Sequence, residues 1–288
     1  MYNRYAMNKG FTAIKNMVWA LAIFVSLGAL LIGLSASMIV RGGSQRQSGT
    51  MTLGQGVSRG GSDKLDLPDE FEQYNQSSSS SLKLLPSTQD AGLEYALGLT
   101  YVCDSTIAGI SNYAQNVNAG IVAQVWTDTG SGFPASNAAK TDIIYPNDGS
   151  HISVGTASMI AKPSRVVIYI GADNLYDTSS DAFISGYERL IKDIQSSSDS
   201  TQIICCGLAS VTSGRRGSVD GLDGKLINQA NEWIKLICED TGAFYADLPS
   251  VLNDKNGSLN EDYASADGKT LNAQGVGKVI EYFRYHGV

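Results

Sequence analysis

The chain has 288 residues with 21 basic and 28 acidic side chains, a formal net charge of −7. That length admits one or two domains. The acidic balance argues against nucleic acid as a partner, because such binding rests on neutralising phosphates with Lys and Arg.

The first ninety residues do not read as globular. Residues 1–16 form a short tail that carries Arg4, Lys9 and Lys15 and no acidic residue. From Met17 to Val40 there are 24 residues without a charge. At about 1.5 Å rise per residue such a helix spans roughly 36 Å, enough for a hydrocarbon core of about 30 Å. The apolar region of a signal peptide stops at about 7–15 residues, so residues 17–40 are read as an uncleaved transmembrane anchor rather than a cleaved leader. Arg41, Arg46 and Arg59 follow the span, so counting positive charges does not orient it. The short tail resembles the charged start of an export signal. It sets the expectation of a single-pass cell-membrane protein whose N-terminus is cytoplasmic and whose C-terminal domain is extracytoplasmic. Residues 41–93 are rich in Gly, Ser and Gln, with a serine run from Ser77 to Ser81, and read as a flexible linker.

Residues 94–288 are expected to form one domain. From Glu94 onward, 13 Lys and Arg face 22 Asp and Glu, a balance of −9. Continuous apolar runs at Leu97–Cys103, Ile121–Trp126, Val166–Ile170, Gln202–Leu208 and Ala243–Ala246 suit strands covered on both faces, as in a parallel sheet. Between them Phe183, Tyr187, Leu190, Ile191 and Ile194 lie on one helical stripe. Leu226, Ala230, Trp233, Ile234 and Ile237 lie on another, closed by Gly242. Val276, Val279, Ile280 and Phe283 mark a last helix with Asn272 as N-cap. The alternation predicts an α/β doubly wound three-layer sandwich with five parallel strands. Ligands then sit beyond the C-terminal strand ends, which directs attention to the loops there. Ser105, where the first strand is expected to turn into a helix, is the first candidate. Cys103, Cys205, Cys206 and Cys238 fall in apolar runs without zinc-site spacing, so buried free thiols are expected and no disulfide. No motif calls for a cofactor or a metal.

Three blocks in register carry a resemblance. Cys103-Asp104-Ser105 follows the first strand, Gly171-Ala172-Asp173-Asn174 the third, and Asp267-Gly268-Lys269-Thr270-Leu271-Asn272 precedes the last helix. Across about 190 residues the domain resembles the SGNH, or GDSL-type, hydrolases, in which a Gly-Asp-Ser serine, a Gly-x-Asn block and an Asp-x-x-His pair stand in these places. The resemblance implies a flavodoxin-like fold and ester hydrolysis. Ser105 maps to the nucleophile, Asn174 to the oxyanion donor and Asp267 to the acid that orients the base. Gly130 or Gly132 maps to a further oxyanion donor.

Two positions depart from the family. Thr270 stands in the histidine position, and its hydroxyl cannot act as a base at neutral pH. Cys103 stands where the family has glycine. Loss of one member of a serine triad costs on the order of a million-fold in turnover. The two histidines, His151 in a turn and His286 at the end of the last helix, are poor substitutes, and Lys269 reads as a loop lysine. Arg215-Arg216 reads as solvated. Each site residue also has a plain structural reading: Ser105 as a helix cap, Asn174 as a loop bridge, Asp267 as a turn former. Together they read as a degenerate esterase that keeps its pocket and recognises an acylated carbohydrate or lipid with little or no hydrolysis. The alternatives are an active acyl-ester hydrolase using another base, and a structural ectodomain.

Overall fold

The computed structural model describes residues 81–117, 123–128, 130, 132–215 and 220–288. The expected membrane span, residues 17–40, lies outside them. Among the described residues no helix is long and apolar enough to cross a membrane.

In chain order the elements are β1 (Lys83–Leu84), α1 (Gly92–Leu97), β2 (Thr100–Cys103), α2 (Ile110–Val117) and β3 (Gln124–Trp126). A 3-10 turn at Ala135–Lys140, the hairpin β4 (Asp142–Ile144) and β5 (His151–Ser153), and α3 (Val154–Ala161) follow. Then come β6 (Arg165–Tyr169), a 3-10 turn at Leu175–Asp177, α4 (Ser180–Ser197), β7 (Gln202–Cys206), α5 (Gly224–Thr241) and β8 (Phe244–Ala246). The chain closes with α6 (Pro249–Leu252) and α7 (Ala273–Arg284).

The sheet runs β1-β8-β7-β6-β2-β3 with every neighbour parallel. Five of its strands are the five apolar runs. The sixth corrects the expectation of five: β1 adds to β8 with Lys83 opposite Phe244 and Leu84 opposite Tyr245. Folded structure therefore begins before residue 94. Leu85, 5% exposed, sinks into the core, and its amide donates to the Tyr245 carbonyl at 2.8 Å. The expected linker thus gives its last residues to the domain.

The chain moves from β2 to β3 in one direction and from β6 through β7 to β8 in the other. Right-handed crossovers then place α2 on one face of the sheet and α4 and α5 on the opposite face. Contacts agree: α1, α2 and α6 each pack on α7, whereas α3 and α5 pack on α4. The order reverses between β2 and β6, so the topological switch point lies at their C-terminal ends.

Helix ends carry the caps that the sequence signals. Asn272 accepts from the amides of Gln274 and Gly275, and Gly242 closes α5 at φ 72°. Ser179 and Asp223 cap α4 and α5. The predicted stripe of α4 is buried throughout, each large side chain contributing about 1.5–3 kcal/mol. Gly186 interrupts that stripe because the 3-10 turn at Ala135–Lys140 crosses α4 there. A Cβ on Gly186 would lie 2.4 Å from the Ala135 carbonyl oxygen. All four cysteines are free and buried, and burial pushes the Cys205 and Cys206 thiols well above their ordinary range.

Candidate active site

The site forms at the switch point, where β2 and β6 end side by side with Cys103 opposite Tyr169. The next residue, Asp104, staples the two strand ends. Its Oδ2 accepts from the amides of Gly171 and Ala172 at 3.1 and 2.9 Å, and its Oδ1 from the amide and hydroxyl of Thr106 at 3.0 and 2.6 Å. Helix α2 does not begin until Ile110, so Ser105 stands on a turn before the helix rather than at its N-terminus. That corrects the expected strand-to-helix placement. The turn leaves Ser105 exposed to the cavity while Asp104 beneath it is fully buried.

Asp173 is the side chain that meets Ser105. The Ser105 hydroxyl donates to Oδ1 at 2.6 Å, and the Ser105 amide to Oδ2 at 3.2 Å. The Phe133 amide donates to the same Oδ2 at 2.9 Å. Asn174, the expected oxyanion donor, follows in the left-handed region at φ 57° and lines the cavity. Counted along a Gly-x-Asn block, the position two after Gly171 is that of Asp173, with Asn174 one residue further on.

The two candidate glycines also line the cavity, but both amides donate to Asp128 Oδ2 at 2.7 Å. Asp128 is buried at 7% exposure and folds this loop around itself. On the far side, the Asp267 carboxylate accepts from the Thr270 hydroxyl at 2.6 Å, from the Thr270 amide at 2.9 Å and from the Lys269 amide at 3.1 Å. The slight burial of Asp267 works against its ionisation, but these bonds outweigh it and hold its carboxyl below the usual range. The Asp–Thr pair thus closes a tight turn around Gly268. Lys269, rather than Thr270, reaches the cavity wall, and its Nζ pairs with Asp220 at 3.3 Å. Arg215 grips the same Asp220 through both guanidinium ends, at 2.9 and 2.7 Å, and its Nε donates to the Asp267 carbonyl. Arg215 is therefore an anchor for the Asp267 turn and not a solvated loop residue.

The cavity has a volume of about 480 Å³ and is bordered by Ser105, Asp173, Asn174, Tyr176, Asp220 and Lys269 among others. Neither histidine borders it. His151 is exposed on β5, and His286 stacks on Tyr282 at 4.0 Å in a separate depression beside α7. Among the described residues no group of three or more His, Cys, Asp and Glu side chains is placed to hold a metal ion.

Burial, and then the neighbouring Asp173 carboxylate, push the Asp104 carboxyl up to about 6 from an ordinary 3.8. Folding therefore favours the protonated form: the unfolded chain loses this proton near 3.8, the folded one near 6. The contribution of Asp104 to stability should rise as pH falls from about 6 toward 4, opposite to that of Asp267. A carboxyl carbon-13 titration should give Asp104 a midpoint near pH 6; a midpoint below 4 would show that the four hydrogen bonds dominate instead.

A serine from the loop after β2 and an acidic residue from the loop after β6 meet at the switch point of a parallel sheet, where doubly wound folds bind their ligands. Residues 104–276 match the model of the GDSL-like lipase/acylhydrolase family, and the chain belongs to that family. Among solved structures it is similar to one described as a platelet activating factor from Streptococcus pneumonia, at 15% identity and a TM-score of 0.50, over 64% of this chain and 81% of that one. It is also similar to a GDSL-like lipase from Bacteroides thetaiotaomicron, at 10% identity and a TM-score of 0.43, over 64% and 84%. An acetylxylan esterase from Geobacillus stearothermophilus matches at 13% identity and a TM-score of 0.41, over 64% and 90%. No curated protein matches.

Proposed function

We propose that this chain is a membrane-anchored, envelope-facing member of the family that keeps the ester-binding cavity, binds an acylated carbohydrate or lipid there, and hydrolyses it little or not at all. The observation that carries the reading is the Asp173 carboxylate against Ser105. Attack by a serine generates an oxyanion, which requires hydrogen-bond donors aimed at the place where charge develops. Here a negative group takes the Ser105 amide, and the glycine amides serve Asp128. Thr270 adds to this, since its hydroxyl donates to Asp267 where the family has an imidazole. The test is ester turnover by the wild type beside its Ser105→Ala variant.

A second reading rests on the same 2.6 Å contact. Asp173 would take the Ser105 proton itself, giving an active hydrolase with a carboxylate base. It is the weaker reading, because the base would then hold the oxyanion donors it must leave free.

The anchoring rests on the uncharged residues 17–40 and the short basic tail before them. Protease added to intact cells should release the domain by cutting within residues 41–81. Full protection that is lost on permeabilisation would reverse the orientation.

A further inference from the structure

We infer that the ligand of this cavity is a carbohydrate and not an acyl chain, with Tyr176 as the platform on which a pyranose ring stacks. The inference rests on the cavity being a ligand site, and it decides between the two ligand classes that reading leaves open.

Tyr176 is 67% exposed, the most exposed of the large apolar side chains among the described residues, and it borders the cavity. An aromatic ring left in water at a cavity mouth is a contact surface without its partner. Its mounting is fixed. The preceding Leu175 is buried at 2% exposure, and the Asn174 carbonyl accepts from the Asp177 amide and from the Thr178 hydroxyl at 3.3 and 2.7 Å. The ring also lies against Gly221, where a Cβ would stand 2.3 Å from ring atom Cδ2. Gly221 takes φ 66°, so glycine meets two demands there: the left-handed backbone and the space for the ring.

The rest of the wall suits hydroxyl groups. Asn174 and Lys269 offer donors and Asp177 an acceptor, while Asp220, itself held by Arg215, fixes the Lys269 ammonium at 3.3 Å. Among the described residues only Ala172, Leu175 and Leu222 contribute purely aliphatic side chains. An acyl chain needs a continuous apolar wall. A pyranose presents one face of C–H groups to an aromatic ring and a rim of hydroxyls to polar side chains, which is the division of this cavity.

The test titrates the full-length chain with xylotetraose, cellotetraose and chitotetraose as glycan probes and with sodium hexanoate as the acyl probe. At least one tetrasaccharide should bind in the millimolar range or tighter, and hexanoate should not. Tyr176→Ala should weaken that binding about tenfold, whereas Tyr176→Phe, which keeps the stacking face, should hold it. Gly221→Ala should weaken it by displacing the ring. Binding of hexanoate without any saccharide, or saccharide binding unchanged in Tyr176→Ala, overturns the inference. Ser105→Trp separates this failure from that of the underlying reading, because it fills the cavity beside Asp173. If saccharide binding survives Ser105→Trp, the cavity is not the ligand site and both fall. If Ser105→Trp abolishes binding but Tyr176→Ala leaves it intact, only the assignment of Tyr176 falls.

Discussion

The wild-type chain should hydrolyse activated acetate esters no faster than its Ser105→Ala variant. Two deficits combine. A missing triad base costs on the order of a million-fold. A missing oxyanion donor costs a further factor of about a hundred to a thousand. Thr270→His addresses only the first: Asp267 stands three residues upstream to orient an imidazole, but Asp173 still places a carboxylate where negative charge would grow. Thr270→His alone should therefore stay close to the background. Adding Asp173→Asn replaces one acceptor oxygen with an amide donor, and the double variant should exceed Thr270→His by at least about a hundredfold in a Ser105-dependent rate. Cys103→Gly in that background should help further if the thiol crowds the strand end. Robust wild-type turnover that Ser105→Ala removes would sink this account. If Asp173→Asn removes it as well, Asp173 is the base and the second reading takes over.

The largest effect on stability is expected from one methyl group on α4. Gly186→Ala would drive a Cβ to 2.4 Å from the Ala135 oxygen and 2.6 Å from the Ser136 carbonyl carbon and oxygen, all backbone atoms. In an open helix the same change would stabilise by roughly 0.5–1 kcal/mol. Here the crossing turn must move, and overpacking of this kind costs about 1–3 kcal/mol or more. For a domain of this size the melting temperature should fall by about 2–12 °C. Gly155→Ala is the control, because its Cβ would meet the Asp193 Cβ at an ordinary 3.5 Å. Equal melting of Gly186→Ala and wild type would refute the close crossing. The change should also disturb the site, since the displaced turn follows Phe133, whose amide holds Asp173.

Much of this architecture was legible because its causes are local. Strands covered on both faces leave uninterrupted apolar runs, and the five strands other than β1 fall inside such runs to within one residue. Gly242 and Asn272 announce helix ends through backbone requirements of their own. What escaped has tertiary causes. Nothing in Lys83-Leu84 alternates or is buried; it is a strand only because the β8 edge lies beside it. The delay of α2 to Ile110 follows from Asp104 turning its carboxylate onto Thr106, a choice the flanking sequence does not display. At the site, Ser105, Asp267 and the three blocks were readable as a pattern. The pairing of Ser105 with Asp173 was readable only by counting strictly along the Gly-x-Asn block. The roles of Asp128, Arg215 and Asp220 as loop anchors depend on side chains far apart in the chain, which no local pattern reports.

The edge strand β1 has a mechanical consequence. Tension arriving along the chain from residues before Lys83 reaches the domain through β1, which exposes both its side chains and forfeits little buried surface when it leaves β8. Behind it stands a stronger fastening. The Thr88 and Ala91 amides donate to the carbonyls of Tyr285 and Arg284, and Arg284 pairs with Asp90. Load that strips β1 is thus passed first to Leu85, buried in the core and bonded to the Tyr245 carbonyl, and then to the end of α7, far along the sheet from the Ser105–Asp173 contact between β2 and β6.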